Sequence, residues 1–187
     1  MYKRLFVLTI LAFTILFSTI PIVADEVVEE NRPAEQIQAK QLDPQAKILA
    51  AYLAKYNSPL QYHAQDLIDA AGVYDLDWKM LPAIAGVEST FGKFTPGGYN
   101  GWGWGVYGAK AVYFNSWTDG IFTVAKGLRE NYFDRGLTNP YSINRVYAAS
   151  PDWGAKVTYF MRDLEKFAQK YEAGQSITIG LEIRLLL

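Results

Sequence analysis

The stretch from Leu81 to Gly92 constrains this chain most, because it places one carboxylate at the end of an apolar run. Leu81, Ile84 and Ala85 recur at helical spacing and form the apolar stripe of a predicted helix. Glu88 follows on the same face, so we expect its carboxyl to face the core or the floor of a cleft. Desolvation there would raise its pKa and let it hold a proton near neutral pH, as a general acid requires. The alternative is a structural glutamate that pairs with a lysine at a helix end.

Helix start signals recur along residues 43–172 and predict a mainly α-helical domain. In most of them a small polar residue stands before a proline or an amphipathic run, the pattern of an N-terminal cap. The predicted helix starts lie near Asp43, Ser58, Asp77, Ser116, Asn139 and Ser150. Residues 91–108 lack a helical period and are rich in glycine and aromatic residues. Residues 104–107 and 110–114 have the pattern of a short β-hairpin around Gly108.

Both ends of the chain differ from this central domain. Residues 1–24 have the pattern of an export signal, with Lys3 and Arg4 before an apolar run over 5–20 and Ala24 at a plausible cleavage site. An uncleaved membrane anchor through residues 5–20 is the alternative. Residues 25–42 form a polar linker. In residues 173–187 apolar and other side chains alternate, which predicts a strand with one apolar face.

Composition excludes several classes of function. The formal net charge of -1 gives no reason to expect a nucleic-acid partner. The chain has no cysteine, which excludes disulfides, a thiol nucleophile and a cysteine zinc site. The single histidine, His63, has no partner at metal-ligand spacing, and the glycines of 101–105 lack the strand-before and helix-after context of a nucleotide loop. We therefore expect no metal and no organic cofactor.

The order of these motifs resembles the lysozyme-like superfamily. Glu88-Ser89 ends a buried helix, the loop Asn100-Gly101-Trp102-Gly103 follows, and Tyr147 comes before a Pro-Asp-Trp segment. Over about residues 75–170 this order is similar to that of lytic transglycosylases and related endo-β-N-acetylglucosaminidase-like domains. The resemblance implies a lysozyme-like helical domain with a short β-hairpin beside the active-site cleft.

The resemblance also implies roles for individual residues. Glu88 matches the catalytic acid/base, and Ser89 matches a serine that positions the substrate or the glutamate. Asn100 matches a polar residue at the border of the cleft. Tyr147 matches a tyrosine whose hydroxyl lies near the catalytic carboxyl. The chain lacks the Gln-containing loop of many lytic transglycosylases, and Ala148 stands where they often have Asn, so the glucosaminidase-like branch is favoured and the reaction type stays open.

Aromatic residues are 15% of the chain and crowd between Tyr99 and Trp117. Flat aromatic faces are typical of carbohydrate sites, and the glycines between them let a ligand approach the backbone. The candidates for substrate binding are Trp102, Trp104, Tyr107 and Tyr113. The alternative is that these rings fill the core beneath the loop. We interpret Trp153 as a packing residue.

Glu88 is the one strong carboxylate candidate, which suggests glycoside cleavage with a single acid/base. Most glycosidases use two carboxylates, but a single acid/base suffices where the substrate supplies the nucleophile. The 2-acetamido group of an N-acetylhexosamine can do so, and the 6-hydroxyl of muramic acid can close a 1,6-anhydro ring. Asp152 is a possible helper, although its position predicts an ordinary residue of a helix first turn.

These observations predict an exported, monomeric, peptidoglycan-cleaving glycosidase at the bacterial cell envelope. It would act on β-1,4 bonds of N-acetylhexosamine strands, with Glu88 as its acid/base. The alternatives are a non-catalytic cell-wall-binding protein on the same fold and a membrane-anchored scaffold protein. The sequence leaves open which bond is cut and whether water or an internal hydroxyl is the acceptor.

Overall fold

The computed structural model describes residues 42–95, 97–105 and 112–186, and these form helices joined by turns, without a strand. The mainly α-helical class is thereby confirmed. Short 3₁₀ segments lie at Pro59–His63 and Phe133–Arg135. The α-helices are α1 Pro44–Ala54, α2 Ala64–Val73, α3 Met80–Ser89, α4 Trp117–Asn131, α5 Pro140–Tyr147 and α6 Trp153–Leu186.

Helix α3 lies at the centre of the fold. Every residue from Met80 to Gly86 is buried, and so is Ser89. Helices α2, α4 and α6 pack against it. Pro82 is tolerated because it falls in the first turn of α3, where backbone N–H groups have no partner within the helix. A helix that is apolar on all sides must lie in the core, and this one brings its C-terminal end, with Glu88, to the surface.

The predicted caps are present at several helix starts. Asp43 accepts a hydrogen bond from the Gln45 N–H at 2.7 Å, and Ser116 accepts one from the Asp119 N–H at 3.1 Å. Asn139 forms a reciprocal capping box at the start of α5. Each cap accepts hydrogen bonds from backbone N–H groups that a helix leaves unpaired, and such a cap typically contributes about 1 kcal/mol to the free energy of unfolding. Local chemistry therefore places these helix boundaries.

Helices α5 and α6 cross at close range. A Cβ atom on Gly154 would lie 3.0 Å from the carbonyl oxygen of Pro140 and 3.1 Å from the Cα atom of Tyr141. The Gly154 N–H donates to Asn144 Oδ1 at 2.9 Å. The Asn144 amide also donates to the carbonyl oxygen of Ser150 at 2.9 Å. This contact fixes the turn that carries the chain from Tyr147 into α6.

The strand predicted for residues 173–187 is wrong, because α6 continues through Leu186. Ser176 and Thr178 donate their hydroxyls to the carbonyl oxygens of Glu172 and Gly174, the i−4 pattern of a helix. Each residue added to an existing helix gains one backbone hydrogen bond without a new nucleation cost. Growth of α6 therefore outweighs the strand-like alternation of apolar and other side chains in this segment. The expected domain boundary at residue 172 lies within this helix.

The other expectations for the ends and the hairpin fall mainly outside the described residues. The export signal or anchor and the linker as far as residue 41 are outside them, and so are residues 106–111 at the centre of the predicted hairpin. The described residues 112–114 have no regular secondary structure. Within the described ranges, no helix has both the length and the apolarity needed to cross a bilayer.

Two glycines on the same helix test the α5–α6 contact. Gly154→Ala should lower the free energy of unfolding by about 1–3 kcal/mol, since the added methyl meets backbone atoms of α5 that would have to shift to make room for it. Gly174→Ala should raise it by as much as about 1 kcal/mol, since nothing lies within 4 Å of the new methyl and alanine favours a helix. Denaturant unfolding of both variants measures the difference. Equal effects of the two substitutions would contradict the close crossing.

Candidate functional site

Glu88 lies in the last turn of α3 and faces an open cavity of about 570 Å³. This volume falls within the range of small-molecule sites. Glu88 itself is an exposed residue, although α3 is otherwise almost wholly buried. The residues that line the cavity are Glu88, Phe94, Thr95, Gly103, Tyr147, Ala148 and Ala149.

The two oxygens of the Glu88 carboxyl have different surroundings. Trp153 donates its indole N–H to Oε1 at 2.6 Å. Gly103 approaches Oε2 so closely that a Cβ atom there would lie only 3.0 Å from it, and its φ of +61° also favours glycine. Among the described residues no ion pair involves Glu88, so the structural alternative of a lysine partner finds no support there.

Opposing effects act on the acidity of Glu88. Burial raises the pKa of its carboxyl, and the hydrogen bond from the Trp153 indole lowers it, with a net rise above the ordinary glutamate value of 4.5. The side chain is accessible from the cavity, yet protein atoms surround enough of the carboxyl to make ionisation costly. The group is therefore suited to hold and release a proton.

Ser89 ties the end of α3 to the glycine-rich loop. Its buried Oγ lies 2.6 Å from the carbonyl oxygen of Gly101 and 3.0 Å from that of Ala85, and accepts the N–H of Gly92 at 2.7 Å. All three partners are backbone groups, and only 2% of the residue is exposed. Ser89 therefore cannot contact a substrate directly, and positions the loop beside Glu88.

The chain reverses direction straight after Ser89. Thr90, Phe91 and Gly92 all have positive φ angles, of 52°, 60° and 81°. Left-handed backbone is unfavourable for Thr and Phe and persists only where the surroundings enforce it. Here the Phe91 ring is buried, and its carbonyl oxygen accepts the hydroxyl of Ser58 at 2.7 Å.

Asn100 and Trp102, two predicted substrate-binding residues, are fully buried. Asn100 bridges the loop through hydrogen bonds to the N–H and carbonyl of Trp104 and to the carbonyl of Val112. Trp102 donates its indole N–H to the carbonyl oxygen of Leu81 at 3.0 Å. The prediction that these side chains bind a substrate is therefore not supported by their placement, because the loop folds them inward and leaves no surface for a ligand.

Tyr147 lines the same cavity as Glu88. Its hydroxyl donates to the carbonyl oxygen of Trp102 at 2.6 Å, and its ring stacks on Trp153 at a centroid distance of 4.7 Å. Burial, the Glu88 carboxylate and Tyr132 together hold the pKa of the Tyr147 hydroxyl well above its usual value. The hydroxyl therefore remains a protonated donor.

A second cavity, of about 340 Å³, adjoins the first. Gly103 and Tyr147 line both cavities, and Glu88 lines the first. Trp104, a predicted platform, is half-buried and lines this second cavity. The remaining lining residues of the second cavity are Gly105, Asn131, Tyr132 and Val146.

The other predicted site residues either do not line the Glu88 cavity or fall outside the described residues. Tyr113 is 68% exposed and lines neither cavity described above, and Tyr107 lies outside the described residues. Asp152 is exposed in the turn before α6, where its carbonyl oxygen accepts the Lys156 N–H at 3.0 Å, and it does not line the Glu88 cavity.

Sequence reasoning missed two residues of the site. Trp153 was interpreted as packing; it is indeed buried, but it also binds the Glu88 carboxyl. Phe94, which the sequence analysis did not single out, lines the Glu88 cavity. The short spacing between Tyr147 and Trp153 could have suggested that both rings reach one place. Nothing in the aperiodic loop indicated on which side Phe94 would lie.

Within the described residues no group of histidine, cysteine and acidic side chains could hold a metal ion. Comparisons of the chain with protein-family models and with curated proteins gave no match. The geometry of the site and the resemblance in its motifs therefore carry the functional proposal.

Two of the predicted platform residues should respond oppositely to substitution. Trp102→Ala should lower the free energy of unfolding by about 3–5 kcal/mol, since it removes a fully buried ring and its indole hydrogen bond. Tyr113→Ala should change it by less than about 1 kcal/mol, since most of that ring is in solvent. Chemical denaturation measures both values. A stable Trp102→Ala variant would show that the ring does not support the core.

Proposed function

We propose that this protein is an exported glycosidase that cleaves β-1,4 bonds of N-acetylhexosamine glycan strands in peptidoglycan. Glu88 is its general acid/base, on a lysozyme-like helical domain. The observation that carries the proposal is a single carboxyl with a raised pKa at the end of a buried helix, opening into a cavity of saccharide size. The resemblance of the Glu-Ser helix end and the following loop to lytic transglycosylases supports the same reaction class.

In the proposed reaction Glu88 acts first as an acid and then as a base. In its protonated form it donates to the leaving glycosidic oxygen, and as a carboxylate it then activates the acceptor. The Trp153 indole holds Oε1, so Oε2, on the side of Gly103, is the oxygen that exchanges the proton with the substrate. Tyr147, with its hydroxyl bound to the loop, forms a wall of the cavity.

The nucleophile comes from the substrate. Glu88 is the one carboxylate among the described residues that line the two cavities. Glycosidases with a single acid/base use a neighbouring group of the sugar, such as its 2-acetamido group. In the alternative reaction the 6-hydroxyl of muramic acid gives its proton to the Glu88 carboxylate and bonds to the anomeric carbon, which closes the 1,6-anhydro ring once the bond to the protonated leaving oxygen has broken. The two cavities share Gly103 and Tyr147 as lining residues, and in this proposal they hold sugar units on the two sides of the bond that is cut.

The proposed location follows from residues 1–24, whose charge and apolar pattern is that of an export signal. The protein would act outside the cytoplasm, either released or tethered through residues 5–20. It would work as a monomer without metal or organic cofactor, because Glu88 and the substrate together supply the chemistry.

Glu88→Gln should abolish release of glycan fragments from purified bacterial cell wall, because the amide cannot donate or accept the proton. The amide oxygen can still accept the Trp153 hydrogen bond, so the melting temperature should not fall. Mass spectrometry of the soluble fragments measures activity and identifies which bond is cut and whether the new end is an anhydro ring. The matched control is Glu130→Gln, an exposed glutamate on α4 that pairs with Lys126.

Loss of activity in Glu88→Gln alone is the expected result. Wild-type protein that binds cell wall without releasing fragments would favour the non-catalytic binding protein. Full activity in Glu88→Gln would overturn the assignment of the acid/base.

A further inference from the structure

Phe94 is an exposed aromatic residue that lines the Glu88 cavity. The residue is 72% exposed and lines the cavity together with Glu88. Single exposed apolar side chains are common on protein surfaces, so exposure by itself carries no functional meaning. Phe94 differs from other exposed aromatic residues because it lines the same cavity as the proposed acid/base, whereas Tyr62, for example, lines neither cavity.

The backbone holds Phe94 in a fixed position relative to Glu88. The Phe94 N–H donates to the carbonyl oxygen of Ser89 at 3.0 Å, and Ser89 is itself anchored through its buried hydroxyl. Beyond the ring, the Thr95 hydroxyl donates to the carbonyl oxygen of Gly98 at 3.2 Å. A platform that is ordered before the ligand arrives loses less entropy on binding.

Small apolar side chains line the cavity together with Phe94. Ala148 and Ala149 are lining residues that leave room for a ring, and the Asn144 amide fixes their segment by donating to the carbonyl oxygen of Ala148 at 3.3 Å. Among the described residues that line this cavity, the charge comes from Glu88 alone. The cavity therefore suits a flat, uncharged ring with an apolar face.

A pyranose with equatorial substituents has this shape. Its axial C–H bonds point out of the two faces of the ring, and their partial positive charge is attracted to the negative face of an aromatic ring. Phenylalanine has no hydrogen-bonding group, so it would recognise the face of the sugar and not a particular hydroxyl. Its contribution would be the same in the ground state and in the transition state, which affects KM and leaves kcat unchanged.

We propose that Phe94 is a stacking platform for one pyranose unit of an N-acetylhexosamine chain, in the subsite next to Glu88. The proposal rests on the function proposed above, since it places this sugar beside the bond that Glu88 would protonate. Phe94 itself takes no part in proton transfer.

The test is the binding of an N-acetylglucosamine tetramer to the full chain in the Glu88→Gln background, measured by titration calorimetry. Phe94→Ala should weaken the Kd about three- to tenfold, the scale of an aromatic contact. Phe94→Trp should restore it, and Phe94→Leu, which keeps apolar bulk but no flat face, should restore it only in part. The melting temperature should not change, since the ring is largely in solvent.

Tyr62→Ala is the matched control, because it removes an equally exposed ring, 82% in solvent, away from both cavities. The tetramer should bind this variant as it binds the background protein. An unchanged Kd in Phe94→Ala, or no binding of the tetramer to the background protein, would overturn the platform. The binding measurement and the cell-wall digestion test different proposals. If the digestion showed that Glu88 is not the acid/base, the tetramer could still bind with a Kd that depends on Phe94.

Discussion

The hydrogen bond between the Trp153 indole and Glu88 Oε1 joins the start of α6 to the end of α3, and the site depends on it. Trp153 is 2% exposed and stacks on Tyr147, so the donor has a fixed position. It orients the carboxyl and leaves the other oxygen beside Gly103. It also limits the rise in pKa that burial causes, because a donor to the carboxylate stabilises the ionised form. The same contact therefore orients the carboxyl and opposes the effect of burial on its pKa.

The loop over α3 is held by buried polar groups. Ser89 and Asn100 bond to backbone atoms of the loop, and no buried side-chain nitrogen or oxygen in the described part of the chain lacks a hydrogen-bond partner. Satisfied buried networks of this kind make a structure rigid and specific. The left-handed turn at Thr90 and Phe91 is stabilised by the burial of the Phe91 ring. Rigidity next to an exposed Glu88 and Phe94 is what a binding or catalytic site requires.

The sequence predicted best where local chemistry decides structure. The caps at Asp43, Ser116 and Asn139 follow from hydrogen bonds within a few residues, and so do the helices that they start. The position of Glu88 beside a cavity followed from the helical period of α3.

The sequence predicted less well where tertiary contacts decide. An aperiodic loop has no period to show which of its side chains turn inward, so Trp102 and Asn100 were expected in the site and lie in the core. The role of Trp153 depends on a contact between residues that are far apart in the chain. In the C-terminal tail, an existing helix overrode an alternating pattern.

The most direct test is an NMR titration of the Glu88 side-chain carboxyl in the full chain. The carboxyl should titrate above its ordinary value of 4.5, since burial disfavours the ionised form. As the pH rises from that ordinary value through the raised pKa, the folded protein should lose stability, because the carboxyl ionises more readily in the unfolded chain. In Trp153→Phe the pKa should rise further, because the donor to the carboxylate is gone. A wild-type Glu88 that titrates at or below 4.5, with no change in Trp153→Phe, would contradict a proton-holding carboxyl in a protein-walled cavity.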